Sequence, residues 1–463
     1  MVERHGRRTL LILAATLVLG FGLRAYRVVE PLATPGDDAR AYYALSKALY
    51  EEGGYGGPEF RDASDWSPGA PLLYAASFYA TGGAREGTAR IVELLLGLAA
   101  IVVVFALGER IACRPAGLIA AFGVAVYPPF IHSTGALFSE PPAILTLPAA
   151  VLAFLWAGDK TLPPLLPRMP EESDMDRHSL PRPGAAWVWL APGFLFGLTA
   201  LIRPEYLMVG AAFAVLAAIR IGRARGWRPG LAGAGLLVAA LLAPIVPWAV
   251  RNAVVLDRVV PISTGGGKAL YVGTYLPADG EYQRVKALLA ERYLHRDLEP
   301  GSEALDRVRP APLFDRVAAR YPDLPRDSAL GKIGKQNLSK YFDEDPAGYL
   351  EMTVRKVWRM WSGGVGEAMS STAGRAIQVL IVVLALAGLA ALAWRRWWWE
   401  LTALATPILL VTAVGAASLA ASRRNEVLMT LIFPLAAAAL SRGAAALLSS
   451  RPWLSRQESS PQS

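Results

Sequence analysis

Apolar residues occur along this chain in long blocks that are separated by short polar connections. The blocks are about 20 residues long, the length that a helix needs to cross roughly 30 Å of hydrocarbon at about 1.5 Å per residue. Their length and their low charge indicate membrane-spanning helices, not helices of a soluble core. The pattern predicts ten spans, at residues 9–27, 88–112, 115–132, 140–157, 185–202, 204–221, 230–250, 376–394, 399–421 and 427–448.

The composition agrees with a polytopic membrane protein. The chain has 463 residues, of which 54% are hydrophobic and 18% are charged, whereas ordinary soluble domains carry about 25% charged residues. The net charge of +9 does not indicate a nucleic-acid partner, because Lys and Arg cluster beside the apolar blocks and form no single basic face. The single cysteine, Cys113, excludes both a disulfide framework and a cysteine metal cluster.

Basic residues predict how the spans are oriented. The first apolar block follows the basic run RHGRR and resembles a signal peptide. However, Arg24 and Arg27 lie where a small-residue cleavage site is required, so we expect an uncleaved first helix. Short turns on the same side of the membrane are also basic, as the positive-inside rule requires. We therefore expect a multi-pass protein of the plasma (inner) membrane with both termini in the cytoplasm.

This topology divides the chain into four parts. They are an N-terminal membrane module (1–250), a small and partly helical non-cytoplasmic cap (251–375), C-terminal spans (376–449) and a cytoplasmic tail (450–463). Within the first part, the outer loop 28–87 carries two short helices that we expect at the membrane interface. The cytoplasmic loop 158–184 is Pro-rich and typical of a linker. No internal repeat is visible, which disfavours a secondary transporter.

Several arginines depart from the positive-inside rule, because they fall at predicted non-cytoplasmic span ends. They are Arg203, Arg251, Arg423 and Arg424. Arginine at such a place must meet water, a carboxylate or an anionic ligand, since burying it unpaired is costly. Three separate span ends suggest one shared anion, and a lipid phosphate fits because guanidinium groups bind phosphate oxygens bidentately. The alternative for each arginine is snorkelling to headgroups, or pairing with Glu205 or Glu426.

Acidic residues are predicted on the same face of the membrane. Asp37 and Asp38 open the first interfacial helix, and Glu140 opens the fourth span. A sugar transfer that inverts the anomeric centre needs one carboxylate to take the proton of the acceptor hydroxyl. The alternative role is helix capping, since acidic residues stabilise helix N-termini. Both roles can coexist in one residue.

Other motifs give weaker signals. The string STGGGKA lacks the spacing of a phosphate-binding loop, although its glycines can let Lys268 reach a ligand; a plain loop is the alternative. The string GDDAR and the scattered histidines do not indicate a metal site, so we expect no metal or other cofactor. Lys356 and Arg359 lie in KVWRMW, where an interfacial tryptophan belt competes with a sugar or phosphate contact.

Taken together, these strings resemble the GT-C glycosyltransferases that use polyprenyl-phosphate sugars, a group that includes protein O-mannosyltransferases and the aminoarabinose transferase of lipid A. The resemblance is carried by GDDARAYYALSKAL, WSPGAPLLYA, LFSEPP, LIRPE, PWAVRNAVVLDRVVPISTGGG with LYVG, and RRNEVLMTLIFP. These strings cover most of residues 20–275 and the last two spans. The resemblance implies an all-α polytopic bundle of the GT-C type with about ten transmembrane helices.

The resemblance also implies roles for individual residues. The first outer loop of such enzymes carries an acidic pair, usually Asp-Glu, whose first member is the base. That role falls on Asp37, with Asp38 at the position of the Glu, and Glu140 would line the acceptor side. Donor and lipid-phosphate binding would fall on Arg203, Arg251, Arg423, Arg424, Lys268 and Tyr271. The string SRRNEV departs from the family's Arg-aromatic-Arg pattern, which leaves the choice between Arg423 and Arg424 open.

The residues and the resemblance together predict an inverting hexosyl- or pentosyltransferase. It would move a sugar from a polyprenyl-phosphate-linked donor to a glycan, lipid or protein acceptor at the non-cytoplasmic membrane face. One alternative is a flippase or transporter of lipid-linked sugars, which would use the same arginines and need no base. A second alternative is a non-catalytic scaffold that docks partners on residues 251–375.

Overall fold

The computed structural model describes residues 2–29, 37–56, 63–161 and 186–449, and these residues form an all-helical protein. The helices are α1 (Val2–Val29), α2 (Asp37–Glu51), α3 (Gly69–Thr81), α4 (Glu86–Ile111), α5 (Arg114–Val126), α6 (Pro128–Ser133), α7 (Glu140–Thr161), α8 (Leu190–Ile202), α9 (Tyr206–Arg225), α10 (Trp227–Leu256), α11 (Gly266–Thr274), α12 (Tyr282–Leu294), α13 (Glu303–Asp306), α14 (Pro310–Ala318), α15 (Arg326–Glu344), α16 (Pro346–Ser362), α17 (Glu367–Ser370), α18 (Thr372–Trp394), α19 (Trp398–Ala417) and α20 (Ser422–Ser449).

The predicted all-α polytopic membrane fold is confirmed. Seven helices are long and apolar enough to cross a membrane, by length and composition: α1, α4, α7, α9, α10, α18 and α19. The other three predicted spans also coincide with helical segments. Helix α5 and the helical run 186–202 are shorter, and α20 has 28 residues but carries charges in its first turn. The predicted linker and tail lie largely or wholly outside the described residues.

The third predicted span is divided in two at Tyr127. Proline lacks an N–H group and disfavours a helical conformation of the residue before it, so Pro128 ends α5 and opens α6. The break leaves carbonyl groups at the end of α5 without helical partners. The buried side chain of Arg24 in α1 donates hydrogen bonds to the carbonyls of Val124 and Ala125, each at 2.9 Å. Arg24 therefore completes the end of α5.

Small residues allow some of the spans to pack very closely. A Cβ atom at Gly193 of α8 would lie 2.2 Å from the carbonyl oxygen of Leu237 in α10, and one at Gly388 of α18 would lie 2.1 Å from that of Leu435 in α20. Only glycine leaves room for these approaches. Close backbone contact of this kind is typical of helix pairs in membranes.

The first outer loop forms two helices, as the sequence predicts. Helices α2 and α3 pack on each other through aromatic side chains, with the ring of Phe78 lying 6.2 Å from those of both Tyr43 and Tyr50. Residues 30–36 and 57–62 of this loop lie outside the described part of the chain. The interfacial position of both helices stays a prediction.

Helices α11 to α15, to which the name cap is restricted from here on, share a small hydrophobic core of their own. Phe314 is buried in this core together with Tyr271, Leu289, Leu305 and Leu330. Residues 251–375, which the sequence predicts to be a partly helical cap, contain the seven helices α11 to α17. The helices of the cap are amphipathic, and their apolar faces pack together while their charged faces lie outside. A segment with many charges can therefore still fold compactly.

Ionic contacts mark both ends of the helix bundle. At one end, Arg110 of α4 pairs with Asp159 of α7 at 2.7 Å and with Glu400 of α19 at 2.9 Å. At the other end, Glu140 of α7 meets Arg203 and Arg423. We call this second end the outer end, since the sequence predicts that it faces away from the cytoplasm.

Candidate functional site at the outer end of the bundle

The centre of the candidate site is the carboxylate of Glu140. It lies in the first turn of α7, where Ser139 and Pro141 favour the start of a helix. The Glu140 side chain is only 1% exposed. Its Oε1 accepts hydrogen bonds from Arg203 at 2.9 Å and from Arg423 at 2.8 Å, and its Oε2 accepts one from Arg423 at 3.0 Å. Two arginines from distant parts of the sequence therefore share one buried carboxylate.

Arg203 reaches this carboxylate from the turn between α8 and α9. Pro204 favours an extended conformation of the residue before it, and Arg203 has φ −142° and ψ 107°. Its Nε donates to Glu205 at 3.1 Å, while its Nη1 donates to Glu140. Arg203 thus has two carboxylate partners, one of which the sequence already suggested.

Arg423 connects Glu140 to the first outer loop. From the first turn of α20, its Nη1 donates to Asp38 Oδ2 at 2.5 Å, and its guanidinium carbon lies 4.5 Å from the centre of the Phe138 ring. The Asp38 side chain is 43% exposed, in contrast to Glu140. Asp38 is therefore a carboxylate of the cluster that solvent or a substrate can reach. Asp37 precedes it in α2, and its side chain lies outside the described part of the structure.

Arg424 differs from Arg423 in its surroundings. Its Nη1 has a long contact of 3.4 Å with the hydroxyl of Ser418, and Glu205 lies within electrostatic reach. Among the described residues Arg424 forms no salt bridge. Its positive charge is therefore less fully compensated than that of Arg423.

Arg251 lies apart from the Glu140 cluster. Its guanidinium group donates to the side-chain oxygen of Asn252 and to the backbone oxygen of Tyr55, both at 3.0 Å. It also stacks near the rings of Tyr55 and Trp248, at 5.6 and 5.1 Å from their centres. It forms no salt bridge with the carboxylates that the structure describes. The structure therefore does not join Arg251 to the anion that Arg203 and Arg423 share.

Lys268 and Tyr271, both predicted to bind the donor, belong to the cap. Lys268 is part-exposed in α11, and its backbone N–H donates to Asp327 at 3.0 Å; burial raises the pKa of that Asp327 carboxyl. Tyr271 packs in the core of the cap, edge-on to Phe314, and burial raises the pKa of its hydroxyl. Neither side chain contacts the Glu140 cluster.

Two of the four arginines, Arg203 and Arg423, share one anion within the protein, the carboxylate of Glu140. Binding of a lipid phosphate by the set of arginines stays a prediction. Pairing with Glu205 or Glu426 was the alternative interpretation. Arg203 does pair with Glu205, whereas Arg423 pairs with Glu140 and Asp38 instead of Glu426. Arg251 and Arg424 keep charges that the described carboxylates do not pair.

Two residues of the site were missed in the sequence. Glu93, fully buried in α4, accepts hydrogen bonds from Tyr74 at 2.6 Å and from the backbone amides of Gly135, Leu137 and Phe138 at 2.7 to 3.2 Å. These bonds hold the turn that precedes Glu140. A carboxylate inside a predicted span is a signal for such a role. The second is Tyr42, one helical turn after Asp38. Burial raises the pKa of its hydroxyl, which lies close to Ser139.

The described residues contain no cluster of three or more His, Cys, Asp or Glu side chains that could hold a metal ion. The expectation that the chain needs no cofactor stays a prediction.

Comparisons with known proteins identify the fold. No protein-family model matches the sequence, and no curated protein matches it either. The structure of archaeal oligosaccharyltransferase AglB from Archaeoglobus fulgidus, in complex with an inhibitory peptide and a dolichol-phosphate, matches with a TM-score of 0.53 and 14% identity over 98% of this chain. The apo form of the oligosaccharyltransferase from the same organism matches with a TM-score of 0.56 and 15% identity over 95% of this chain.

These matches confirm the GT-C fold that the sequence resemblance implied. The chain spans about half the length of the solved structures, covering 52% and 51% of them. A match to ArnT from Cupriavidus metallidurans bound to undecaprenyl phosphate has a TM-score of 0.37, which is too low to support a conclusion about this chain.

Proposed function

We propose that this chain is an inverting glycosyltransferase that moves a sugar from a polyprenyl-phosphate-linked donor to an acceptor at the non-cytoplasmic membrane face. The observation that carries the proposal is the part-exposed carboxylate of Asp38, which Arg423 holds beside further arginines at the outer end of a GT-C fold. One matching oligosaccharyltransferase structure is in complex with an inhibitory peptide and a dolichol-phosphate, and another is tethered with an acceptor peptide. A phosphate-bearing lipid and an acceptor are therefore reasonable occupants of the same region.

The acidic pair Asp37 and Asp38 supplies the base in this proposal. The acceptor oxygen attacks the anomeric carbon while a carboxylate of the pair takes its proton, and the bond from that carbon to the phosphate oxygen breaks. The lipid phosphate leaves with the bonding electrons, and the opposite-face attack inverts the anomeric centre. General-base catalysis of this kind contributes about 10²–10⁴-fold to a rate. The exposure of Asp38 supports access of an acceptor to the pair.

Glu140 has a different role in this proposal from the one expected from sequence. Its carboxylate is buried, and three short hydrogen bonds from two arginines already occupy it. A carboxylate in that state is a poor proton acceptor, because protonation would leave two guanidinium groups without their shared anion. Glu140 therefore positions Arg203 and Arg423, and Arg423 in turn orients Asp38.

The leaving phosphate needs cations that protein carboxylates do not already neutralise. Arg251 and Arg424 meet this requirement best, since neither forms a salt bridge with a described residue. Guanidinium groups bind phosphate oxygens strongly when water is largely excluded. We therefore assign the donor phosphate to Arg424 and Arg251, with Arg203 and Arg423 serving mainly the acidic side of the site.

Transfer by the purified full-length chain tests the proposal. The chain is reconstituted in nanodiscs with a radiolabelled polyprenyl-phosphate sugar and an acceptor fraction from cell envelopes, and label transfer is measured. Asp37→Asn, Asp38→Asn and the double variant are compared with the native chain. We expect at least one single variant to lose about 10²-fold or more in kcat.

Asp159→Asn is a matched control for Asp38→Asn. Asp159 is 45% exposed and pairs with Arg110 at the opposite end of the bundle. Replacing it by Asn therefore removes a part-exposed ion pair, as Asp38→Asn does, but leaves the candidate site unchanged. We expect native activity from this variant. If the double variant Asp37→Asn/Asp38→Asn transfers sugar at the native rate, the assignment of the base is wrong. If the labelled lipid crosses between the leaflets of sealed proteoliposomes that contain the chain while no acceptor gains label, the chain is a flippase.

A further inference from the structure

The backbone turn that carries the arginines lies directly against the cap. We call residues 418–424, between α19 and the first turn of α20, the arginine turn. A Cβ atom at Gly273, near the end of α11, would lie 2.0 Å from the carbonyl carbon of Ser418 and 2.4 Å from the backbone nitrogen of Leu419. Even a methyl group is therefore excluded at position 273. The backbones of the cap and the arginine turn touch.

A buried lysine bridges the same junction. Lys356 of α16 is 0% exposed, and its Nζ donates hydrogen bonds to the carbonyl oxygens of Gly273 at 2.7 Å and Ala416 at 2.8 Å. Its stem passes Gly280, where a Cβ atom would lie 2.7 Å from the lysine Cδ. One side chain thus connects α16, the end of α11 and the end of α19.

A second side chain fastens the other side of the arginine turn. Asn425 of α20 is 0% exposed, and its Nδ2 donates to the carbonyl oxygens of Met360 and Gly363, the latter at 3.0 Å. Both acceptors lie at the end of α16. Helix α16 is therefore hydrogen-bonded to both sides of the arginine turn. Lys356 bonds it to the end of α19, which precedes the turn, and Asn425 bonds it to α20, which follows the turn.

The lysine occupies this position at an electrostatic cost. Among the described residues Lys356 has no salt bridge, and the charged groups around it are Asp279 beside α11 and α12, Arg359 on its own helix and Arg424 on α20. Burial lowers the pKa of Lys356 to about 8. A neutral amine still carries two N–H groups, so both hydrogen bonds persist above that pH. An apolar side chain would fill the space more cheaply but would leave both carbonyls without a donor.

We propose that Lys356 is a positioning residue. Together with Gly273 and Asn425 it fixes the arginine turn against the cap. The position of the cap thereby determines where Arg424 lies relative to the donor phosphate. The proposal rests on the proposed function only for the identity of the ligand. The positioning itself is a property of the junction. It makes the cap part of the donor site, although no cap side chain contacts the Glu140 cluster.

Two measurements on Lys356→Met test the proposal. Hydrogen–deuterium exchange reports the amides of residues 418–424, and binding of sugar-free undecaprenyl phosphate to the chain in nanodiscs reports the anion site. Because both carbonyls lose their donor, we expect exchange of the turn amides to rise about tenfold and the Kd to rise about tenfold, which corresponds to about 1.4 kcal/mol. Lys356→Arg keeps two N–H donors and is expected to restore most of the affinity.

Lys340→Met serves as the control, because Lys340 is an exposed lysine of α15 that pairs with Glu344. It is expected to change neither measurement. If Lys356→Met does not fold, Gly280→Ala displaces the lysine stem and is expected to give the same two changes. Unchanged turn exchange overturns the positioning, and faster exchange with an unchanged Kd overturns its link to the phosphate. If the native chain binds no polyprenyl phosphate, the proposed function fails, while the exchange result still decides the positioning.

Discussion

Replacing Glu140 by glutamine is the most informative perturbation of the candidate site. The substitution keeps the shape of the side chain but removes its negative charge. One of the two oxygens becomes an NH₂ group, whose N–H donors would face the guanidinium N–H donors of Arg203 or Arg423. A single atom change therefore breaks the contact that joins α7, the α8–α9 turn and α20.

The size of the effect follows from the burial and from the remaining partners. Removing one partner of a buried ion pair costs about 3–5 kcal/mol. Here Arg203 retains Glu205 at 3.1 Å and Arg423 retains Asp38 at 2.5 Å, so neither guanidinium group is left alone. We therefore expect a loss at the lower end of that range, about 3 kcal/mol in the free energy of unfolding.

The assay is reversible unfolding of the purified chain in mixed micelles, with the free energy obtained from the transition midpoint. A double-mutant cycle with Arg203→Met isolates the contact between Glu140 and Arg203. Residues in direct ionic contact show coupling energies of about 0.5–3 kcal/mol. Sugar transfer is measured on the same samples, and we expect it to fall because Arg423 loses its fixed orientation beside Asp38.

Glu400→Gln provides the comparison at the other end of the bundle. Glu400 pairs with Arg110 at 2.9 Å, and Asp159 also holds that arginine. Because Glu400 forms a salt bridge with a single arginine among the described residues and is 14% exposed, its loss is expected to cost about 1 kcal/mol. The reasoning is refuted if Glu140→Gln costs no more than Glu400→Gln, or if the double-mutant cycle gives a coupling energy near zero.

Three further predictions use other parts of the structure. Gly193→Ala inserts a methyl group against a carbonyl of α10 and is expected to destabilise the chain by about 1–3 kcal/mol, whereas Gly235→Ala, with open space around it, is expected to be neutral or slightly stabilising in the same unfolding assay. Tyr74→Phe removes a buried donor to Glu93 and is expected to cost about 1–3 kcal/mol; an unchanged midpoint would contradict the role of Glu93. The pKa of Lys356 is lower in the folded chain, at about 8, than the ordinary 10.5, so the unfolded chain binds the proton more tightly between these values. The free energy of unfolding of the native chain, relative to that of Lys356→Met, should therefore increase by up to about 3 kcal/mol as the pH rises from 8 to 10.5. If this difference in free energy does not change across that range, the burial of the charged lysine is contradicted.

The sequence determined the membrane fold almost completely. Span length, hydropathy and the order of the spans along the chain are local properties. Nine of the ten predicted spans each coincide with one helical segment, and the third coincides with two, α5 and α6. The break at Tyr127 was readable in principle from the two prolines that follow it. The break was missed because mean hydropathy is taken over a whole apolar block and stays high where proline interrupts the helix.

The sequence also indicated the region of the site. Glu140, Arg203 and Arg423 were predicted at outer span ends and Asp38 in the first outer loop, and the structure brings their side chains together. The alternating direction of the spans requires these residues to lie on the same side of the membrane, since every second span end faces that side. Tyr271 was placed by resemblance, and Lys268 by resemblance and by the glycines that precede it. Both lie in the cap, and neither side chain contacts the cluster.

Only the tertiary structure decided which charges meet. Arg423 is 283 residues from Glu140 and 385 residues from Asp38 along the chain, and no periodicity relates positions so far apart. The sequence could show that arginines at three span ends need an anion, but not that Glu140 already supplies it to two of them. Lys356 was weighed as one residue of a tryptophan-rich belt, and its role at the arginine turn depends on two carbonyl groups that folding brings within 2.8 Å. Hydropathy is a property of a segment, whereas the partner of a buried charge is a property of packing between segments.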